Sequence, residues 1–339
     1  MPLDISPAQV TRPILAVVVA YHGETSVLRA MTRSLMDIGL ADVLVIDNTE
    51  SEAHCTDLRV ALSPLGVEVL CQGMNQGVAV AHNLGLCIAR ERGYEAALLL
   101  DQDSHLEDTA VSRLYRALQD LRANGVQVAA LGTAYVDPRT NLRTPFYKLG
   151  RLRMKHLPDE PDAVTACEFV ITSGTLIPRE AIDTVGLMDE ALFIDYVDME
   201  WCVRARALGR EVFGVPQARM LHTIGEGTMR VFGRVIPIHS PHRQYYLIRN
   251  ALLFARKPYL PFKWQVHLVY RAVTQLAMFS LLCAPRLTRF EWLLRGFADG
   301  LLGRSGRFGG PKGLGFALST AARRNGAGEQ AGELTPLAK

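Results

Sequence analysis

Two aspartates one residue apart, Asp101 and Asp103, follow a run of four apolar residues that ends at Leu100. A short apolar run of this kind predicts a buried parallel strand. If the extended backbone continues past Leu100, both carboxylates project to the same side, because side chains alternate along a strand. Two carboxylates so placed could hold one divalent cation against a phosphate. An isolated Asp-x-Asp also suits a solvated acidic turn, so the rest of the chain must decide between the two interpretations.

A third carboxylate, Asp198, lies near the start of a predicted helix that ends at Gly209. A carboxylate at a helix N-terminus is favoured electrostatically, so a capping role is one interpretation. The other is a general base aimed at an acceptor hydroxyl. Glu200 and Arg204 lie four residues apart on the same helix and are expected to form an ion pair, which gives Glu200 a structural role.

One histidine is a conditional candidate. His222 follows a predicted strand over 211–215. A single histidine is usually not a metal ligand, although imidazole does bind several metals. We expect His222 to bind a cation only if the fold brings it to Asp101 and Asp103.

Strands and helices alternate over about the first 130 residues. The apolar runs predict strands at 14–20, 43–46, 67–71, 97–100 and 126–131, with helices at 27–38, 77–92 and 107–123. Such alternation predicts a parallel sheet covered by helices on both faces. The first four strands end in polar residues, which include Tyr21, Asp47, Asn75, Asp101 and Asp103. The carboxyl edge of an open α/β sheet is where ligands bind, so these side chains should converge on one crevice.

Composition and motifs exclude several classes of protein. The 339 residues are 49% hydrophobic and 21% charged, which is typical of a globular chain, and a net charge of +3 is too small to argue for nucleic acid. The glycine-rich segment 73–77 lacks both the dinucleotide-binding spacing after the first strand and the Gly-Lys of a P-loop. The six cysteines include no Cys-x-x-Cys pair, so reduced thiols are expected rather than disulfides or a zinc site.

The C-terminal third is helical and amphipathic. From Arg243 onwards, aromatic and aliphatic residues alternate with arginines, but Arg271 interrupts the apolar run, which is too short to span a membrane. Two interpretations remain open: a helix that lies on an anionic membrane surface, and a plain packing or dimer helix. The segment after about Arg323 is expected to be disordered.

Taken together, these stretches resemble the family 2 glycosyltransferases of the GT-A fold. The resemblance covers roughly residues 13–310 and is closest to bacterial rhamnosyltransferases that use dTDP-rhamnose. It is carried by Val17–Tyr21, Val45–Asn48, Asn75–Gly85, Leu99–Ser104, Ile171–Gly174, Phe193–Trp201 and the Arg243-x-Tyr245-Tyr246-x-x-Arg249-Asn250 motif. His22 departs from the family, where many members carry a small polar residue, and its role is open.

The resemblance implies a role for each matching residue. Tyr21 would lie against the nucleobase and Asp47 would accept its N–H. The donor would also contact Asn75, Gly77, Asn83, Asp101, Ser173 and Gly174. Asp101, Asp103 and His222 would hold Mg²⁺ or Mn²⁺, and Asp198 would deprotonate the acceptor hydroxyl.

The resemblance also implies an architecture and a function. The fold would be α/β and Rossmann-like, with a tail at 1–12, a catalytic domain at 13–240 and helices at 241–322 before a tail at 323–339. Residues 13–135 would bind the nucleotide sugar and 136–240 the acceptor. The expected activity is metal-dependent, inverting transfer of rhamnose to a glycan in cell-surface polysaccharide synthesis, with a lipid-linked glycan as one form of the acceptor. We expect a cytoplasmic protein, with the inner face of the cytoplasmic membrane as one location. A UDP-hexose or furanose donor and a catalytically silent sugar-nucleotide-binding or glycan-binding module are the alternatives.

Overall fold

A mixed β-sheet runs through the protein between two layers of helices. The structure, a computed structural model, describes residues 12–138, 142–151, 153–158, 160, 163–222, 225, 227–231 and 234–309. The strands are β1 Ile14–Ala20, β2 Ala41–Asp47, β3 Glu68–Cys71, β4 Ala96–Asp101, β5 His105–Leu106, β6 Val128–Asp137, β7 Leu142–Arg143, β8 Tyr147–Leu149, β9 Met154–His156, β10 Thr165–Cys167, β11 Thr175–Pro178, β12 Glu211–Leu221, β13 Gly227–Val231 and β14 Arg234–Ile238. The helices are α1 Thr25–Asp37, α2 Glu52–Leu62, α3 Val78–Glu91, α4 Ala110–Ala123, α5 Arg179–Val185, α6 Val197–Ala207, α7 Pro241–Phe254, α8 Phe262–Leu282 and α9 Arg286–Leu301.

The main sheet has the order β10-β12-β6-β11-β4-β1-β2-β3. β1 pairs in parallel with β2 and β4, and β2 pairs in parallel with β3. β11 runs antiparallel between β4 and β6, and β12 is parallel to β6. The parallel half therefore presents the carboxyl ends of β1 to β4 along one edge, as the sequence predicted, and the α/β fold class is confirmed.

Alternation along the central strand fills two cores. Every residue of β1 is buried. Leu15, Val17 and Val19 belong to one core, which includes residues of α3, α6 and α7. Ile14, Ala16, Val18 and Ala20 belong to the other, which includes residues of α1, α2 and α4. Because both faces are covered, β1 is continuously apolar and the sheet edge is held rigidly.

Several local predictions differ from the structure. β11 lies beyond the predicted alternation of strands and helices, and Ser173 and Gly174 precede it beside the end of β4. α2 was missed, since its apolar stripe is weak. β12 continues to Leu221, well beyond the predicted 211–215. The antiparallel pair β8 and β9 was not predicted either. The predicted tail at 323–339 and residues 1–11 of the predicted tail at 1–12 lie outside the described residues.

The expectation of reduced cysteines is wrong for one pair. Cys55 on α2 and Cys71 at the end of β3 form a disulfide with a Cα–Cα distance of 6.0 Å. The packing of α2 against β3 brings these positions together, at a separation that disulfides favour. Cys87, Cys167, Cys202 and Cys283 are free.

Helices α7, α8 and α9 pack together, and their buried residues join the core that contains residues of α3 and α6. The helix that follows Ser240 begins with Pro241, a residue suited to a first turn. Within the described residues, every helix is too short or too polar to span a membrane.

Candidate active site

Asp101, Asp103 and His222 meet at the carboxyl edge of the sheet. Asp101 ends β4, Asp103 lies in the turn that follows, and His222 comes directly after β12. One ligand atom from each residue lies within 4.8 Å of the other two. The His222 ring nitrogens are 3.8 Å from Asp101 Oδ2 and 3.5 Å from Asp103 Oδ1. The condition set for His222 by the sequence is therefore met.

Mutual electrostatics couple these three groups. Burial in the cleft raises the pKa of Asp101, although His222 and Arg243 oppose this shift. Burial also acts to raise the pKa of Asp103, but the hydrogen bond and charge of His222 outweigh it and lower that pKa. Burial acts to lower the pKa of His222, and the two carboxylates reverse the effect and raise it. The cluster therefore attracts positive charge, here a proton on the imidazole.

The donor set fits a divalent cation. Two carboxylates supply the hard oxygen ligands that Mg²⁺ and Mn²⁺ prefer, and a neutral imidazole suits a transition metal such as Mn²⁺. Asp101 and Asp103 keep 37% and 52% of their side-chain surface exposed, so a diphosphate has access to the same position.

Buried hydroxyl groups and a glycine support Asp101. The Asp101 N–H donates to Ser173 Oγ at 3.2 Å, and Ser173 Oγ also contacts Ser104 Oγ. Gly174 has φ +76°, and a Cβ there would collide with Thr133. Ser173 and Gly174 thus position the end of β4 in this structure. Their predicted contact with a donor stays a prediction.

Asp47 is fully buried where β2 ends. Its Oδ1 accepts the Thr49 N–H at 3.1 Å. Its Oδ2 has no hydrogen-bond partner among the described residues. A buried carboxylate oxygen without a partner is costly. The predicted contact of Asp47 with a nucleobase stays a prediction.

The exposed ring of Tyr21 forms the outer wall near this edge. Gln102 holds the Tyr21 backbone, since its amide accepts from the Tyr21 N–H and donates to the Tyr21 carbonyl. The His22 ring lies edge-on to the Tyr21 ring, with 4.4 Å between the ring centroids. His22 Nε2 is 3.6 Å from Glu50 Oε2. These contacts place Tyr21 where a planar base could stack.

The remaining predicted donor residues have partners within the protein. Asn75 Oδ1 accepts from Asn48 Nδ2 and from the Gly77 N–H. Gly77 has φ +92° and lies against Phe193, where a Cβ would collide. The Asn83 amide bonds to Met188 and Glu190. Asn83 therefore fixes the chain before α6, and its donor contact stays a prediction.

Asp198 lies in the first turn of α6 and is half-buried. Its Oδ1 accepts the N–H of Met199 at 2.7 Å, so some capping character is present. Burial raises the pKa of Asp198 to about 6, and the negative charges of Asp195 and Asp101 act in the same direction. A carboxylate that titrates near neutrality and interacts with Asp101 is suited to accept a proton in this cleft. Glu200 pairs with Arg204 at 2.8 Å, which confirms the predicted ion pair.

The backbone before Asp198 is strained. Phe193, Asp195 and Tyr196 have φ values of +65°, +62° and +65°. Left-handed backbone at bulky residues costs of order 1–3 kcal/mol each and persists only where surrounding contacts impose it. We call residues 192–198 the base segment.

Contacts from α7 supply that constraint. Asn250 Nδ2 lies 2.8, 2.7 and 3.1 Å from the carbonyl oxygens of Leu192, Ile194 and Asp195. Arg249 Nη2 donates to the Leu192 carbonyl at 3.1 Å, and Arg243 pairs with Asp195 at 3.0 Å.

The sequence assigned no role to Arg243, Arg249 or Asn250, although the motif that contains them was noted. A buried Arg-Asn pair within an apolar helix was the available signal, because such groups need partners.

Comparisons with known proteins agree with this geometry. The chain matches a family described as "Glycosyltransferase like family 2" over residues 12–236. It is 32% identical to the dTDP-rhamnosyl transferase RfbF of Shigella flexneri over 300 residues, which are 88% of this chain and 97% of that protein.

Two solved structures share the fold. The mannosyltransferase PcManGT from Pyrobaculum calidifontis, in complex with GDP-Man and Mn²⁺, matches with a TM-score of 0.54 and 14% identity, over 89% of this chain and 90% of that one. GalNAc-T7 with UDP, GalNAc and Mn²⁺ matches with a TM-score of 0.51 and 14% identity, over 87% of this chain and 58% of that one. At this identity, the likeness establishes the architecture and leaves the substrates to other arguments.

Proposed function

The chain belongs to the family 2 glycosyltransferases, and we propose that it transfers L-rhamnose from dTDP-rhamnose to a glycan hydroxyl. It has the GT-A fold and is a nucleotide-sugar glycosyltransferase. The choice of rhamnose follows from the relative named a dTDP-rhamnosyl transferase, which the chain matches along nearly its whole length. One observation supports the reaction type most strongly. Asp101, Asp103 and His222 form a cluster, and the charge of Asp101 acts on the pKa of Asp198.

Asp198 is proposed as the general base of a direct displacement. The acceptor oxygen attacks the anomeric carbon, the bond from that carbon to the phosphate oxygen breaks, and the hydroxyl proton passes to Asp198. Configuration at the anomeric carbon is inverted because the two oxygens lie on opposite sides of it. A positioned base contributes about 10²–10⁴-fold to such a step.

Asp101, Asp103 and His222 are proposed to hold Mg²⁺ or Mn²⁺. When bound, the cation would neutralise charge on the departing dTDP. This removes the need for a second carboxylic acid of the kind that glycosidases use. The two solved relatives that contain Mn²⁺ support divalent metal use, without fixing which metal serves here.

The nucleotide is proposed to bind along the ends of β1 to β3. Asp47 Oδ2 would accept the N–H of the base, and the exposed Tyr21 ring would stack on it. Asn75, Gly77 and Asn83 would shape the sugar side mainly through the contacts that fix α3 and the base segment.

The acceptor is proposed to be a glycan of a cell-surface polysaccharide, carried on a lipid, with the enzyme at the inner face of the cytoplasmic membrane. Support for this comes from the exposed apolar side chains of α8 and α9 and from the arginines of α9.

A panel of nucleotide sugars tests the proposal, with release of nucleoside diphosphate as the measurement and EDTA as a second arm. We expect dTDP release from dTDP-rhamnose, loss of this release in EDTA, and recovery when Mg²⁺ or Mn²⁺ is restored. Faster UDP release from a UDP-hexose or UDP-furanose would favour the second candidate function, a transferase with a UDP-sugar donor. The structure of GalNAc-T7, which shares the fold, contains UDP. Binding of the donor with no release from any sugar, across several acceptors, would contradict the transferase reaction.

A further inference from the structure

An unusual share of the exposed apolar surface lies on two helices. Of the seventeen large hydrophobic side chains that are exposed in the described part of the chain, ten lie between residues 262 and 302. Phe262 on α8 and Leu287 on α9 are 77% and 81% exposed. A concentration of this kind marks an interaction site, whereas single exposed apolar residues need no explanation.

The two helices present their apolar residues as stripes on neighbouring faces. On α8 they recur every three or four residues, at Phe262, Val266, Val269, Val273 and Leu276. On α9, Leu287, Phe290 and Leu294 have the same spacing, and Leu301 follows two turns later on the same face. This is the period of one helix face. We call these residues the α8–α9 surface.

Two apolar grooves join the stripes. One is lined by Leu276 and Leu281 of α8 with Leu287 and Phe290 of α9. The other is lined by Phe262, Val266 and Val269 of α8 with Leu301 of α9, and also by residues of α7. The α8–α9 surface is therefore continuous across both helices.

The charge around this surface is positive. No aspartate or glutamate occurs between residues 227 and 290, a stretch that includes all of α8 and the start of α9. Arg286 lines the first groove, Arg256 lines the second, and Lys263 is exposed beside Phe262. The acids of α9 are Glu291, which is exposed, and Asp299, which pairs with Arg304 at 2.7 Å. An anionic partner complements this distribution of charge.

We propose that the α8–α9 surface binds the anionic lipid surface of a membrane, with its apolar side chains among the acyl chains and its cations at the headgroups. Apolar area and basic residues together are what such binding requires, since each adds to the affinity. A second copy of this chain is a poorer occupant, because a two-fold contact would bring Arg256, Lys263 and Arg286 against like charges. This inference rests on the membrane location in the proposed function and deepens it by naming the surface and the lipid charge, while its evidence of exposure and charge is independent of the donor chemistry.

α8 also connects this surface with the active site. Arg271, on the other side of the helix, lies with its guanidinium 5.6 Å from the centroid of the Tyr196 ring, two residues before Asp198. Docking through α8 would therefore hold the acceptor side of the cleft close to the membrane.

Vesicle flotation of the full chain tests the proposal. One set of vesicles is phosphatidylcholine alone and the other contains phosphatidylglycerol as well. We expect at least about tenfold more protein to float with the anionic vesicles, and this binding to fall as salt is added. In the double variant Phe262→Glu/Leu287→Glu, we expect about tenfold less binding to anionic vesicles.

The control is Val60→Glu, which replaces one exposed apolar side chain by glutamate at a valine of α2 that is 69% exposed, as each half of the double variant does on α8 or α9. It should float like the unmodified chain. Lys263→Gln/Arg286→Gln should lose the preference for anionic lipid.

Equal flotation of Phe262→Glu/Leu287→Glu and the Val60→Glu control would overturn the proposal. A dimer in light scattering that Leu287→Glu dissociates, without vesicle binding, would overturn it in favour of a second copy. Donor-dependent dTDP release measured on the same samples separates these outcomes from failure of the proposed reaction.

Discussion

The metal cluster and the base segment are adjacent parts of one cleft, but they are positioned in different ways. Asp101 and His222 occupy the ends of β4 and β12, so the hydrogen-bonded sheet places them. Asp198 follows a segment with three left-handed, non-glycine residues, which α7 holds from more than fifty positions away in the sequence. One part depends on regular sheet geometry and the other on strain that side chains impose.

This difference implies that substitutions in the two parts change different kinetic and binding constants. A variant of the metal cluster should weaken the binding of nucleotide, because the cation and the diphosphate occupy that end of the cleft. A variant of the base segment should reduce turnover at nearly constant donor affinity, because the acceptor proton is transferred there. Each prediction below tests this division.

Asp198→Asn is expected to have the largest effect. It keeps the size of the side chain but removes its basicity, so kcat should fall by about 10²–10⁴-fold. The affinity for dTDP, measured by calorimetry with Mn²⁺ present, should change less than about twofold. The control Asp183→Asn changes an exposed aspartate on α5 and should leave kcat intact. Unchanged turnover in Asp198→Asn would reject this residue as the base.

Asp103→Ala tests the metal cluster and is expected to change nucleotide binding. Loss of one carboxylate ligand should weaken binding of dTDP by about 10–100-fold when metal is present, which corresponds to about 1.4–2.7 kcal/mol. In EDTA, the variant and the unmodified chain should bind dTDP equally. Asp108→Ala removes an exposed aspartate from the same connection and serves as the control. A loss that persists in EDTA would mean that Asp103 contacts the nucleotide directly.

Asn250→Ala tests whether the strained backbone needs its support. The change leaves the carbonyls of Ile194 and Asp195 without the Asn250 donor, and the Leu192 carbonyl keeps only Arg249, at a cost of about 1–3 kcal/mol in the free energy of unfolding. We expect kcat to fall about tenfold with little change in donor affinity, because a small displacement of Asp198 is costly to catalysis. Gln119→Ala, which removes a surface amide bonded to Glu95, is the control for stability. An equal fall in donor affinity would show that the segment also shapes the nucleotide site.

The two parts also differ in how far the sequence reveals them. Apolar runs and the polar residues that end them predicted β1 to β4 and the meeting of Asp101 with Asp103, because sheet geometry repeats along the chain. The left-handed conformations of Phe193 and Tyr196 could not be predicted, since bulky residues avoid that region unless distant contacts impose it. The bond between Cys55 and Cys71 was missed for a related reason, as it depends on how α2 packs on β3.

The pH dependence of turnover involves the smallest expected effect, and it tests directly whether the metal cluster and the base segment act separately. Burial raises the pKa of Asp198 to about 6, and a general base acts only when deprotonated. The value of kcat should therefore be on a plateau above this pH, about half of it at pH 6, and lower still in acid. Burial is the largest cause of this raised pKa, so the midpoint in Asp103→Ala should stay in place once saturating donor and metal compensate for weaker binding. If the midpoint shifts in Asp103→Ala, the metal cluster and Asp198 titrate as one coupled unit. The two parts would then be positioned separately but would not act separately.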